Sequence, residues 1–128
     1  MAYKSAYKFI YKALRDALVR TGVPVGGTAS YPRVELHSFI ESQALDKEGR
    51  VRVISCTMES MSDTSLEDCV YLNEINLERL ENITTVGADF TIIGIIPNQL
   101  QDLSETTDTK NILYRQLQSL DITIEQTS

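Results

Sequence analysis

What most constrains the fold of this chain is the order in which its hydrophobic periodicity changes: a helical period, two alternating runs, a second helical period, and two more alternating runs. At 100° per residue Tyr3, Tyr7, Ile10, Leu14, Ala17 and Leu18 share one arc, with Ala6, Tyr11 and Ala13 at its edges, so residues 3–20 read as an amphipathic helix. Thr21, Gly22 and Pro24 stop it, because Gly suits a left-handed cap and Pro cannot continue the ladder. The stretch TGVPVGGTASYP, which holds Gly26 and Gly27, is a connector longer than most. From Arg33 to Glu41 the residues alternate, Val34, Leu36, Ser38 and Ile40 on one face and Arg33, Glu35, His37, Phe39 and Glu41 on the other. ALDKEG makes a hairpin tip, and RVRVISCTMES alternates again, so the first two strands are expected to pair antiparallel. Ile54, Cys56 and Met58 occupy the second parity of that strand, which predicts that its far half is covered on both faces, by a helix or a neighbouring subunit.

Thr64 and Glu67 stand at capping-box spacing and start a second helix. Its main stripe reads as Leu66, Cys69, Val70, Asn73, Leu77 and Leu80, leaving Tyr71, Leu72 and Ile75 as surplus apolar surface on a second side. VGADFTIIGII is apolar on both faces in its later half and reads as a central strand ended by Pro97. NQLQDLSETTDTK then reads as a long polar loop. The final run holds Ile112, Tyr114, Leu120, Ile122 and Ile124 on one parity, with Leu113, Arg115 and Leu117 on the other, and reads as a long last strand with a bend near Gln116 to Gln118. The expected fold class is therefore α+β: an antiparallel four-stranded sheet with an N-terminal helix and a central helix packed on it, in a single domain over residues 1–128.

Chemistry is sparse. One histidine, His37, and two cysteines, Cys56 and Cys69, match neither zinc-binding nor CxxC spacing, and no nucleophile motif or phosphate-cradling loop occurs. The reading is no catalytic residue, no cofactor and no metal. Cysteine usage fits a reduced, cytosolic setting, and a charge every three or four residues keeps the first segment from inserting in a membrane. If a small-molecule site exists, its lining is expected from His37, Glu35, Cys56 and Tyr114.

Charge is more informative. Lys4, Lys8, Lys12, Arg15 and Arg20 against Asp16 give residues 1–20 a charge of +4, so the overall −6 leaves −10 on the rest. Phosphate binding is disfavoured by that balance, and no specific nucleic-acid contact is expected. Lys4, Lys8, Lys12 and Arg15 share one arc of the first helix, and Glu67, Glu74, Glu78 and Glu81 share one of the second. The two stripes can pair side by side on one sheet or between neighbouring subunits, or stand as solvated faces. The candidate oligomer-interface residues are Arg50, Arg52, Tyr71, Leu72, Ile75, Lys4, Lys8, Lys12, Glu74 and Glu78.

The order of elements, with YPRVEL opening the first strand and GRVRVISCTMES forming the second, resembles the tail terminator family of long-tailed bacteriophages. The likeness covers nearly the whole chain and is one of pattern. It departs from the family in Asn98 to Thr109 and in the acidity of the second helix. The resemblance implies a virion protein that closes into a ring, in that family a hexamer, at the head-proximal end of the tail tube. There it would stop tube polymerisation and join tail to neck, with the tube protein and neck proteins as partners and the host cytoplasm as the place of assembly. The segments Gly22 to Tyr31 and Asn98 to Thr109 are then the candidates for contact with tube or neck. The alternatives are another oligomeric adaptor or neck-completion protein, or a small ligand-binding domain or enzyme.

Overall fold

The computed structural model describes residues 5–19, 25, 31–42, 50–81, 83, 89–106 and 112–127. Helix α1 (Tyr7–Leu18) and strands β1 (Arg33–Glu41) and β2 (Val51–Ser62) come first. Helix α2 (Leu66–Glu81) follows, then β3 (Phe90–Asp102), the short β4 (Glu105–Thr106) and β5 (Ile112–Gln126). This is the expected α+β class, with one added short strand. The strands run in the order β1-β2-β5-β3, every pairing is antiparallel, and β4 pairs with β5 alone. Both helices pack on one face of the sheet, α2 across β2 and β5, and α1 against β1 and α2. The core lies between, built from Ile10, Leu14 and Leu18 of α1, Leu72 and Leu80 of α2, and Ile54, Met58, Leu120, Ile122 and Ile124 of the sheet. On the opposite face Val53, Ser55, Thr57, Ser119, Asp121 and Thr123 are half-buried, with no helix over them among the described residues.

The first helix has the phase its sequence dictates: Ala6, Ile10, Ala13, Leu14, Ala17 and Leu18 are buried. Tyr7 is half exposed and leans edge-on against Phe39, while Tyr3 and Lys4 lie outside the described residues. The second helix is rotated from the expected stripe. Its buried side is Cys69, Leu72, Asn73, Asn76 and Leu80, so Leu72 belongs to the core, and Leu66 is exposed instead. The reason is a polar layer between helix and sheet. Asn76 Nδ2 donates to Ser60 Oγ at 3.0 Å, and Asn73 Nδ2 to Gln118 Oε1 at 3.5 Å, with Gln116 and Gln118 both buried beneath α2. The same two glutamines explain the apparent bend in the last strand. β5 keeps one register against β2 from Glu125 to Tyr114, and Gln116 and Gln118 sit inward where apolar residues were expected.

Two further expectations change. The cap of α2 is Ser65, whose Oγ accepts from the Asp68 N–H at 3.1 Å, one residue later than the Thr64 and Glu67 pair. And β3 is an edge strand that passes through Pro97 to Asp102, so Asn98 to Asp102 is strand and not loop. Pro97 is tolerated because β3 has a neighbour on one side only, and the register shifts between Pro97 and Leu100. The central position falls to β5. The hairpin tip at residues 44–49 and most of the Gly22 to Tyr31 connector lie outside the described residues.

Candidate functional site

Three features carry charge or exposed apolar surface. The first is a shallow concavity of about 440 Å³ on the helix-free face, lined by Arg33, Glu35, His37, Glu59 and Arg115 among others. Ser38 adopts φ 59° at the point where the β1–β2 register shifts, a conformation that costs a non-glycine residue on the order of 1 kcal/mol. That bulge sets the end of β1 beside His37. Glu59 is 4% exposed and accepts from His37 Nε2 at 2.9 Å and from Arg115 Nε at 2.8 Å. A carboxylate only accepts, so His37 carries a proton on Nε2, and its Nδ1 lies 2.7 Å from the Ser38 hydroxyl. Burial pushes the Glu59 carboxyl up, but the hydrogen bonds and charges of Arg115 and His37 outweigh it and hold it below the ordinary carboxylate value.

That shift sets a pH dependence. The folded state prefers ionised Glu59, so the contribution is complete above the unfolded value of about 4.3 and drains away as pH falls through the lower folded value. Glu59→Gln should lower stability at pH 7 by about 1–3 kcal/mol, the usual worth of a hydrogen bond to a charged group. It should also flatten the acid limb of a urea-unfolding series measured from pH 3 to 7. An unchanged acid limb would assign the acid loss to other carboxylates.

Of the small-molecule lining expected from sequence, His37 and Glu35 do share this concavity, whereas Cys56 is on the opposite, helix-covered face. Tyr114 has the parity that faces α2, and its carbonyl accepts from the Cys69 thiol at 3.3 Å. Burial pushes the Cys56 thiol up to about 12 and the Cys69 thiol up to about 11, which makes both poor nucleophiles at neutral pH. Glu59 and Arg115 were not singled out from sequence. The available signal was a lone Glu in the strand half expected to be covered on both faces, with one Arg at the facing-parity position of the last strand.

The second feature corrects an interface expectation. Arg52 is 0% exposed: Nη1 donates to Glu41 Oε1 at 3.0 Å, Nη2 to Gln126 Oε1 at 2.7 Å, and the guanidinium lies 5.4 Å from the centre of the Phe90 ring. Its partners are inside its own chain, so it is no part of a surface. Strand alternation explains this, because Arg52 shares the inward parity of Ile54 while sitting at the sheet end where Glu41, Gln126 and the Phe90 ring close around it. Arg50, one step outside the strand, stays half exposed beside Glu125 at 3.8 Å.

The third feature is the outer side of the helix layer. Lys8, Lys12, Glu74 and Glu78 are exposed, as are Tyr71 at 63% and Val19 at 54%, and Ile75 is half-buried. Among the described residues none of those four charged side chains is ion-paired, so the basic and acidic arcs do not pair within one chain. Glu74, Glu78 and Glu81 rim a groove of about 640 Å³ floored by Leu77, Ile95 and Pro97. No helix among the described residues is long and apolar enough to cross a membrane.

No protein-family model matches this chain, and no curated protein matches it in sequence. Its fold does match solved structures. One chain, from a structure described as the virion of a native gene transfer agent particle, superposes with a TM-score of 0.67. The match covers 91% of this chain and 91% of that one at 17% identity. The two chains share a fold.

Proposed function

We propose that this chain is a structural component of a phage-like virion, a non-catalytic assembly protein working as one domain. The observation that carries the reading is the superposition along nearly the full length of both chains with a chain of the gene transfer agent virion. Within that class, the element order and strand patterns favour a tail-terminator role: a homo-oligomeric ring, a hexamer by the family's habit, seated on the head-proximal end of the tail tube. It halts tube growth and presents a surface to the neck. Its location is then the mature virion, with assembly in the host cytoplasm. Arg50, Tyr71 and Ile75 are surface residues retained as subunit contacts: the Arg50 side chain is 40% exposed, Tyr71 is exposed, and Ile75 borders a groove beside it. Leu72 and Arg52 drop out because they are buried.

The test is direct. Added to the polymerising tail-tube protein of the same virion, the chain should shorten the tubes and cap one end only, seen by negative-stain microscopy. Tubes of unchanged length with bare ends would overturn the terminator role. Absence of the chain from purified particles, checked by mass spectrometry, would overturn the virion role as a whole.

A further inference from the structure

We infer that the groove between α2 and β3 is the seat of α1 from a second copy of this chain, with Lys8 and Lys12 of one subunit against Glu74 and Glu78 of the next. The inference rests on the oligomeric reading above and names the surfaces that would join. Four observations support it.

The first is complementarity of composition. The groove is apolar at its floor, through Leu77, Ile95 and Pro97, and acidic at its rim, through Glu74, Glu78 and Glu81. An occupant needs apolar surface flanked by bases. On the α1 wheel Lys8, Lys12, Arg15 and Val19 fall within a 60° arc, and Val19 is 54% exposed at the helix end. Val19 is the apolar residue this arc offers to such a floor. The second is spacing: Lys8 and Lys12 are four residues apart on one helix, Glu74 and Glu78 four apart on the other, so both pairs rise by about 6 Å and come into register together. The third is the absence of ion pairs within the chain: among the described residues these four side chains have no charged partner of their own to give up. Bringing them together costs only their water.

The fourth is position. Tyr11, beside the basic arc, leans on Phe39 of β1, whereas the groove is walled by Ile95 and Pro97 of β3. β1 and β3 are the two edges of the sheet. Both arcs face outward from the helix layer, one on the helix beside β1 and one on the helix beside β3, so they are two distinct patches, and a subunit that engages a different neighbour with each makes a head-to-tail contact. It repeats until it closes into a ring or runs on as a filament.

The experiment exploits that asymmetry. K8E/K12E carries acid on both surfaces, and E74K/E78K carries base on both. Sedimentation velocity of the wild type should show concentration-dependent association that weakens with salt. Each double variant alone should remain monomeric, with its apparent association constant reduced at least 10-fold. Mixed in equal amounts, the two variants should assemble again, because junctions can then alternate between an acidic helix on a basic groove and a basic helix on an acidic groove; the mixture also shows that both variants are folded. Wild-type association that survives in both variants, or a mixture that stays monomeric while each variant is folded by circular dichroism, would overturn this pairing and leave the virion role standing. A wild type that remains monomeric at every concentration would overturn it too, while shortened tail tubes in the capping experiment would still support the terminator.

Discussion

Replacing Arg52 by Ala should cost the fold about 3–5 kcal/mol, the range expected when one member of a buried ion pair is removed. Three groups lose a partner at once. Glu41 loses its 3.0 Å bond from Arg52 Nη1 and retains a longer one, at 3.4 Å, from the Ala6 backbone N–H. Gln126 Oε1 loses its 2.7 Å bond, and the Phe90 ring loses the cation over it. These groups sit where the ends of β1, β2, β3 and β5 meet beneath the start of α1, so the loss is shared by the sheet and the helix. Arg52→Met, which keeps the volume and drops the charge, should be milder only if Glu41 can turn to solvent; its side chain is 25% exposed, so part of the loss should be recovered. Urea unfolding of both variants at pH 7 checks this. A loss below about 1 kcal/mol for the alanine variant would mean that the pair only breaks even against its desolvation.

Ile122→Ala should be comparably damaging, by about 2–5 kcal/mol, through the cavity it leaves. Ile122 is fully buried on the central strand, opposite Ile54 on one side and Ile95 on the other. Neither flanking strand can collapse into the gap without breaking the register of the other. The contrast is Ile96→Ala on the edge strand, 63% exposed, which should change stability by less than about 0.5 kcal/mol. Thermal unfolding of the two variants side by side separates a residue that fills the core from one that merely resembles core in sequence. Equal losses would mean that the edge is covered in solution by something beyond the single chain.

That contrast also shows what could be read from the sequence. The α1 face, the β1 boundaries and the antiparallel β1–β2 pair were legible because local pattern alone specifies them. The sequence FTIIGII is apolar on both faces and so imitates a central strand, but which strands become neighbours is decided by topology, and periodicity carries no information about it. The polar layer of Ser60, Asn73, Asn76, Gln116 and Gln118 misled the pattern twice, turning α2 by about half a quadrant and bending β5 on paper, because residues that hydrogen bond to one another in the core look like surface in a one-dimensional reading. Of the candidate interface, the charged arcs Lys8 and Lys12 and Glu74 and Glu78 were legible, being exposed charges at helical spacing. Arg52 was not, since a lone strand arginine gives no sign that a glutamate and a glutamine from distant segments will close around it.

The placement of β5 between β2 and β3 has a consequence for how the molecule comes into being. The β1–β2 hairpin can form from its own residues, but β2 has no second neighbour, β3 has none at all, and α2 has half its platform missing until Ile112–Gln126 has left the ribosome. The strand that comes after all the others in the described chain order is the one every other layer waits for, a high-contact-order arrangement that places folding toward the slow, millisecond-to-second end for small domains. A nascent or truncated chain lacking it would present an unfinished sheet and an unseated α2. Closure of the core is thereby tied to the arrival of β5, and a chain that stops short of it is left incomplete by its own topology.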